Sequence, residues 1–161
     1  MRMMKGVAVL ALMLAACSPR ASEGAPPQQT ATPARHPVSG LQVIPLTVVH
    51  AGKRHAFRVE VAATGEEQAK GLMFRTEMGA DEGMIFPMDP PRPASFWMRN
   101  TVIPLDIIFV GADRRILNIA ANAVPYSETP LPSAGRVSGV LELNAGRAAE
   151  LGIGPGDMVE W

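Results

Sequence analysis

The chain has 161 residues, enough for one domain with a substantial core, and shows no second composition regime that would mark another. Lysine plus arginine equals aspartate plus glutamate at 15 each, so no global field favours nucleic acid or an anionic surface. Removal of a leader through Ala16 would take Arg2 and Lys5 and no acid, leaving 13 bases against 15 acids, a formal charge of −2 that argues against nucleic acid as a partner.

That leader is the first predicted element. Arg2 and Lys5 form a positive start, and residues 6–14 are an apolar run shorter than the roughly 20 residues a permanent membrane span requires, so the run reads as a signal sequence. Leu14-Ala15-Ala16-Cys17 closes it and resembles the lipobox of bacterial lipoproteins, in which the cysteine thiol is diacylated and the preceding peptide bond is cut. The resemblance implies a signal peptide over residues 1–16, a lipidated mature N-terminus at Cys17 and a protein held on a membrane facing the periplasm. Ser18 in place of aspartate implies the outer membrane. Cys17 is the only cysteine, so lipidation leaves the domain without a thiol nucleophile, disulfide or thiolate metal site. The remainder of the segment 17–39 is rich in alanine, proline, serine and glutamine, cannot bury enough surface to offset its ordering entropy, and reads as a tether with an end-to-end distance on the order of 25 Å. The globular domain is then expected over residues 40–161.

Within it, Val43, Ile44, Leu46, Val48 and Val49 suit a strand over residues 41–50, with Pro45 favouring an edge or bulge. Phe57, Val59 and Val61 alternate with Arg58 and Glu60 as in a half-buried strand, and the intervening turn makes the pair a hairpin. Thr64-Gly65-Glu66-Glu67 is a capping box that starts a short helix from residue 65 to about 73, with Gly71 in its last turn. Residues 84–86 predict a short buried strand broken by Pro87, the Asp89-Pro90-Pro91-Arg92-Pro93 run an excursion outside any ladder, and residues 96–98 the next strand. Residues 105–110 and 116–121 form a second hairpin. The three prolines between residues 124 and 136 predict a long loop, residues 139–143 a strand, Asn144 the cap of a helix over 145–151 stopped by Gly152, and residues 157–161 a last strand. The sum is an α+β, mainly β fold: a curled or barrel-like antiparallel sheet of short strands with two short helices.

Val-Glu-Val-Ala, Gly-Leu-Met-Phe-Arg, Gly-Met-Ile-Phe, Phe-Trp-Met-Arg-Asn-Thr, Ile-Pro-Leu-Asp-Ile-Ile-Phe, Val-Leu-Glu-Leu-Asn-Ala-Gly and Gly-Ile-Gly-Pro-Gly-Asp follow one another from about Val59 to the C-terminus. In this order they resemble the bacterial and archaeal family called domain of unknown function 192. The resemblance implies a fold family and supplies no catalytic residues.

Candidate chemistry concentrates between Gly71 and Asp106. Asp106 stands between Leu105 and Ile107, and Glu142 between Leu141 and Leu143, placements that ask for a partner if either side chain is buried. Arg75, Trp97, Asn100, Asp106 and Glu142 are therefore the expected ligand-contacting set, lining one common cleft of a non-enzymatic binding or accessory module that meets a small ligand, an envelope component or a protein. No catalytic residue, cofactor or metal is assigned. Two alternatives stay open: a hydrolase using Asp106 and Glu142 as acid and base, and copper held by thioethers of Met73, Met78, Met84, Met88, Met98 and Met158 with help from His50 or His55. Against copper, methionines beside aromatic and aliphatic residues are usual core fillers. There is no phosphate-binding glycine loop and no Gly-x-Ser-x-Gly, which leaves nucleotide hydrolysis and serine chemistry without support.

Overall fold

A computed structural model describes residues 34–161; the expected signal peptide, Cys17 and most of the expected tether lie outside the described residues. Fixed structure begins before residue 40, because Arg35 bridges to Gln42 and Val43 donates its N–H to Ala34. β1 (Val43–His50) and β2 (Lys53–Val61) form the first hairpin, turning through Ala51 and Gly52, both at positive φ as a two-residue connection of this hand requires. α1 (Gly65–Lys70) starts with the capping box: Thr64 Oγ1 accepts from the Glu67 N–H at 3.2 Å, and Glu67 Oε2 accepts from the Thr64 N–H at 2.8 Å. It ends earlier than its sequence predicts, at Gly71, whose φ is +47° and whose absent Cβ would lie 3.3 Å from the Phe86 ring.

The prolines mislead in the next stretch. β3 is one strand of 15 residues, Glu82–Phe96, and carries Pro87, Pro90, Pro91 and Pro93 within it. Its ladder with β6 (Leu131–Asn144) jumps from Pro87 opposite Gly139 to Arg92 opposite Val137, so the residues between bulge out where no ladder N–H is needed. The Asp89–Pro90 bond is cis. The same pairing corrects the expected long loop: β6 already starts at Leu131 and includes Pro132. The strand expected at residues 96–98 is also corrected, since β3 stops at Phe96 and the Met98 N–H turns away to Ser127.

β4 (Leu105–Gly111) and β5 (Ile116–Ala123) form the second hairpin, α2 spans Arg147–Leu151, and β7 is Met158–Glu160. The sheet runs β5-β4-β6-β3-β2-β1-β7, antiparallel except where β2 meets β3. It curls into a half-barrel whose edges meet at one end, where Arg115 bridges to Met158 and the Ile116 N–H reaches the Asp157 carbonyl at 2.9 Å. Alternation divides the core between its faces. Leu46, Val59, Ile85, Ile108, Leu141 and Val159 fill the concave side, with Ala148 of α2 and Ile153. Met84, Phe86, Met98, Ile107, Phe109 and Val140 lie on the outer side, covered by Leu72 and by the loops before and after β3.

Asp106 and Glu142 are both buried, on opposite faces. Asp106 is opposite Leu143 and Ile107 is opposite Glu142, so neighbouring rungs send the two carboxylates to different sides. Asp106 points into the concave side and holds three backbone donors: Oδ1 accepts from Asn122 at 2.9 Å and Gly146 at 3.1 Å, and Oδ2 from Ala148 at 3.0 Å. It thereby caps α2 from outside the helix, in place of Asn144, while Gly146 occupies the N-cap with no side-chain bond. Asn144 instead donates to the carbonyls of Met78 and Gly79 at 2.9 and 3.0 Å. At the far end Gly152, at φ +75°, and the Ile153 N–H, 2.9 Å from the Ala148 carbonyl, close the helix as the sequence predicts.

Glu142 lies between Met84 and Ile107 on the outer face. Its Oε2 has no hydrogen-bond partner, and burial pushes its carboxyl up to about 8 from an ordinary 4.5.

Replacing Asp106 by alanine leaves three backbone donors without their acceptor, that of Ala148 buried, and should lower unfolding free energy by about 2–4 kcal/mol in urea titrations; an unchanged midpoint would contradict the capping role. For Glu142 the folded state keeps a proton that the unfolded chain has lost, so stability should fall as pH rises from about 4.5 to about 8 and level off above. Glu142→Gln removes that slope and should be the more stable form at pH 8 by on the order of a few kcal/mol, measured as denaturation midpoint against pH.

Candidate functional site

On the outer side of the sheet, the period-2 rule places Glu60 outward, and the fold then covers it. Glu60 is opposite Met84 across the β2–β3 pair, so it shares the outer face with Glu142, with Met84 between them. Arg75, in the loop after α1, forks onto it: Nη1 to Oε1 at 2.8 Å and Nη2 to Oε2 at 3.1 Å. Ser39 Oγ also donates to Oε2, and His36 Nδ1 stands 3.7 Å from Oε1. The two side chains of the pair are 9% and 4% exposed, so the charges are met almost entirely by each other and by Ser39. Three pieces of chain are thereby locked together: the segment 36–41, β2 and the loop 71–79.

Between the first and last of these runs an open groove of about 910 Å³, bounded along one side by the exposed face of α1. Met73 and Met78 lie in it, and Val38 and Phe74 stand at it largely uncovered, 75% and 68% exposed. Phe74 is held there by its backbone. Its φ is +65°, costly for a residue with a side chain, and its N–H donates to the Asn100 carbonyl at 2.8 Å. The adjacent Thr101 carbonyl accepts from Tyr126, another exposed aromatic at positive φ, at 3.2 Å.

The structure does not bring the five expected residues into one cleft. Arg75 lines the groove. Asn100 stands behind it, with its carbonyl on Phe74 and its amide 3.9 Å from Met73 Sδ. Trp97 is half-exposed on the loop after β3, with the Arg99 guanidinium 5.4 Å from its ring. Asp106 and Glu142 are buried, one on each side of the sheet. A hydrolase using that pair is overturned, because the sheet lies between them. For copper, Met84, Met88 and Met98 are buried together in apolar packing, Met158 is on β7 beside β1, and His50 Nδ1 is engaged by Asp157 at 3.0 Å. Among the described residues no group of three or more histidines, cysteines, aspartates or glutamates could hold a metal ion.

Sequence reasoning missed Glu60, Val38 and Phe74. The signal for Glu60 was its place in Val-Glu-Val-Ala, one of the motifs that carry the family resemblance; alternation alone made it indistinguishable from the exposed Arg58.

Comparison with known proteins places this geometry. No functionally curated protein matches the chain. A protein of unknown function from Novosphingobium aromaticivorans DSM 12444, known from a crystal structure, is 69% identical over 82% of this chain and 94% of its own, with a TM-score of 0.79. A protein from Sinorhizobium meliloti 1021, described as a candidate transcription regulator, is 42% identical over 72% of this chain and 91% of its own, with a TM-score of 0.70. The family model of domain of unknown function 192, described as an uncharacterized ACR, matches residues 46–161, and the chain belongs to that family.

Proposed function

We propose that the protein is a membrane-tethered periplasmic binding module, anchored through a lipid on Cys17, whose groove beside Arg75 seats a ligand, an envelope component or a partner protein. The observation that carries the reading is the pair Val38 and Phe74, both well exposed across one groove whose walls are fixed by the buried Glu60–Arg75 pair. Scattered exposed hydrophobics are ordinary on a protein surface. A phenylalanine held in left-handed backbone at the edge of a preformed groove is a different matter, because the fold accepts a local cost to keep it there. Binding fits this site better than catalysis. Its buried carboxylate is engaged on both oxygens by a guanidinium and on one by a hydroxyl, and Glu60 itself does not line the groove.

The anchor rests on the Leu-Ala-Ala-Cys sequence after a short apolar run. Among the described residues no helix is long and apolar enough to cross a membrane. Export also separates this chain from the regulatory role attached to its Sinorhizobium relative, as do the glutamates along the groove, which repel a phosphate backbone.

Intact mass spectrometry of the protein from its native envelope should find a diacylated N-terminal cysteine at position 17 with residues 1–16 removed. An unmodified Cys17 would overturn the anchor. A photo-crosslinking residue placed at Val38 should trap a discrete adduct in the envelope that one placed at Asp113, in the β4–β5 turn, does not. Equal labelling from both positions would remove the groove as the binding site.

A further inference from the structure

We infer that the groove's partner is a basic, partly apolar peptide segment of another protein. The inference rests on the binding reading above and adds the chemistry of what is bound. Four glutamates, at positions 66, 67, 77 and 82, line the groove. Against them stand Lys70 and Arg75, and the charge of Arg75 is already cancelled by Glu60. Three net negative charges therefore face the groove at neutral pH. Glu67 and Glu82 each commit one oxygen to backbone N–H groups, at Thr64 and Gly79. Glu66 and Glu77 make no ion pair among the described residues, so a ligand cation finds them unengaged.

Charge alone would fit any small cation. Val38 and Phe74 narrow the class, because a compact ammonium satisfied by the rim would leave both apolar side chains in water. The volume, about 910 Å³, is at the upper end of what small-ligand sites enclose, and the exposed Val38, Phe74 and Glu77 leave the trough open along its length. A chain that alternates lysine or arginine with leucine-like residues meets both demands: apolar side chains cover Val38 and Phe74 while cations reach the glutamates. Acidic segments are excluded by the same field.

The test uses the full mature chain carrying Cys17→Ser, titrated by fluorescence anisotropy with three peptides of equal length: alternating lysine and leucine, alternating glutamate and leucine, and alternating serine and leucine. The lysine peptide should bind most tightly and lose affinity as salt is raised. E66Q/E77Q should weaken it about fivefold by removing two exposed attractions. Phe74→Ser should weaken it about tenfold by removing apolar cover. Among the described residues the two glutamates make no hydrogen bond or ion pair, so their replacement tests charge without testing the fold. Equal binding of the serine or glutamate peptide would overturn the charge assignment while leaving the groove as a binding site. Lysine-peptide binding that both variants leave unchanged would lie elsewhere on the protein and overturn the inference. Failure of the lysine peptide to bind would also overturn it, and the Val38 crosslink would then still decide the binding reading by itself.

Discussion

The groove depends on one ion pair. Removing Glu60 and Arg75 from water costs several kcal/mol per ion, and a buried pair of this sort seldom adds net stability over an apolar replacement. Its effect is positional. A planar guanidinium meeting both oxygens of one carboxylate tolerates little displacement, so the loop carrying Phe74 and the segment carrying Val38 are set against β2 in a single arrangement. Ser39 adds a donor from the third piece of chain, joining this short polar stretch to β2.

Three carboxylates are buried in this small sheet, and each meets the cost by a different route. Glu60 takes a counter-charge. Asp106 takes backbone donors, three of them, and in return supplies the cap that α2 lacks in its own sequence. Glu142 takes neither, and its carboxyl holds its proton into the neutral range instead. The distinction matters for function. A buried acid in a motif invites a catalytic reading, yet Glu60 is accounted for by its ion pair and Asp106 by its backbone donors, and the third faces Met84 and Ile107.

Local signals in the sequence were read correctly where local physics decides the outcome. The capping box at Thr64, the glycine stop at Gly152 and both hairpins depend on residues a few positions apart, and all form. Signals failed where a distant strand decides. Four prolines in β3 read as a break, because sequence does not reveal that β3 would bulge out along β6 and pair with it again on the far side. The segment before residue 40 read as tether throughout, since only a partner on β2 makes His36 and Ser39 part of the fold. The site suffered the same way. Its set of five rested on residue type and nearness in sequence, and the curl of the sheet distributes them over both faces and two loops. Of the five, Arg75 alone lines the groove, and its partner Glu60 is not singled out by sequence because alternation assigns a face without saying what will cover it.

Division of labour between sheet and loops follows from this. The strands fix positions with main-chain ladders and two apolar layers, and of the groove's lining they supply only Glu82. What is presented comes from connections: the stretch before β1, the turn after α1, and the loops that meet at Asn100 and Thr101. Those last two carbonyls, adjacent in sequence, hold the N–H groups of Phe74 and Tyr126, each in backbone that disfavours a side chain. Glycine would relieve that geometry at either position. A frame this redundantly bonded can carry the local cost of a few left-handed aromatics.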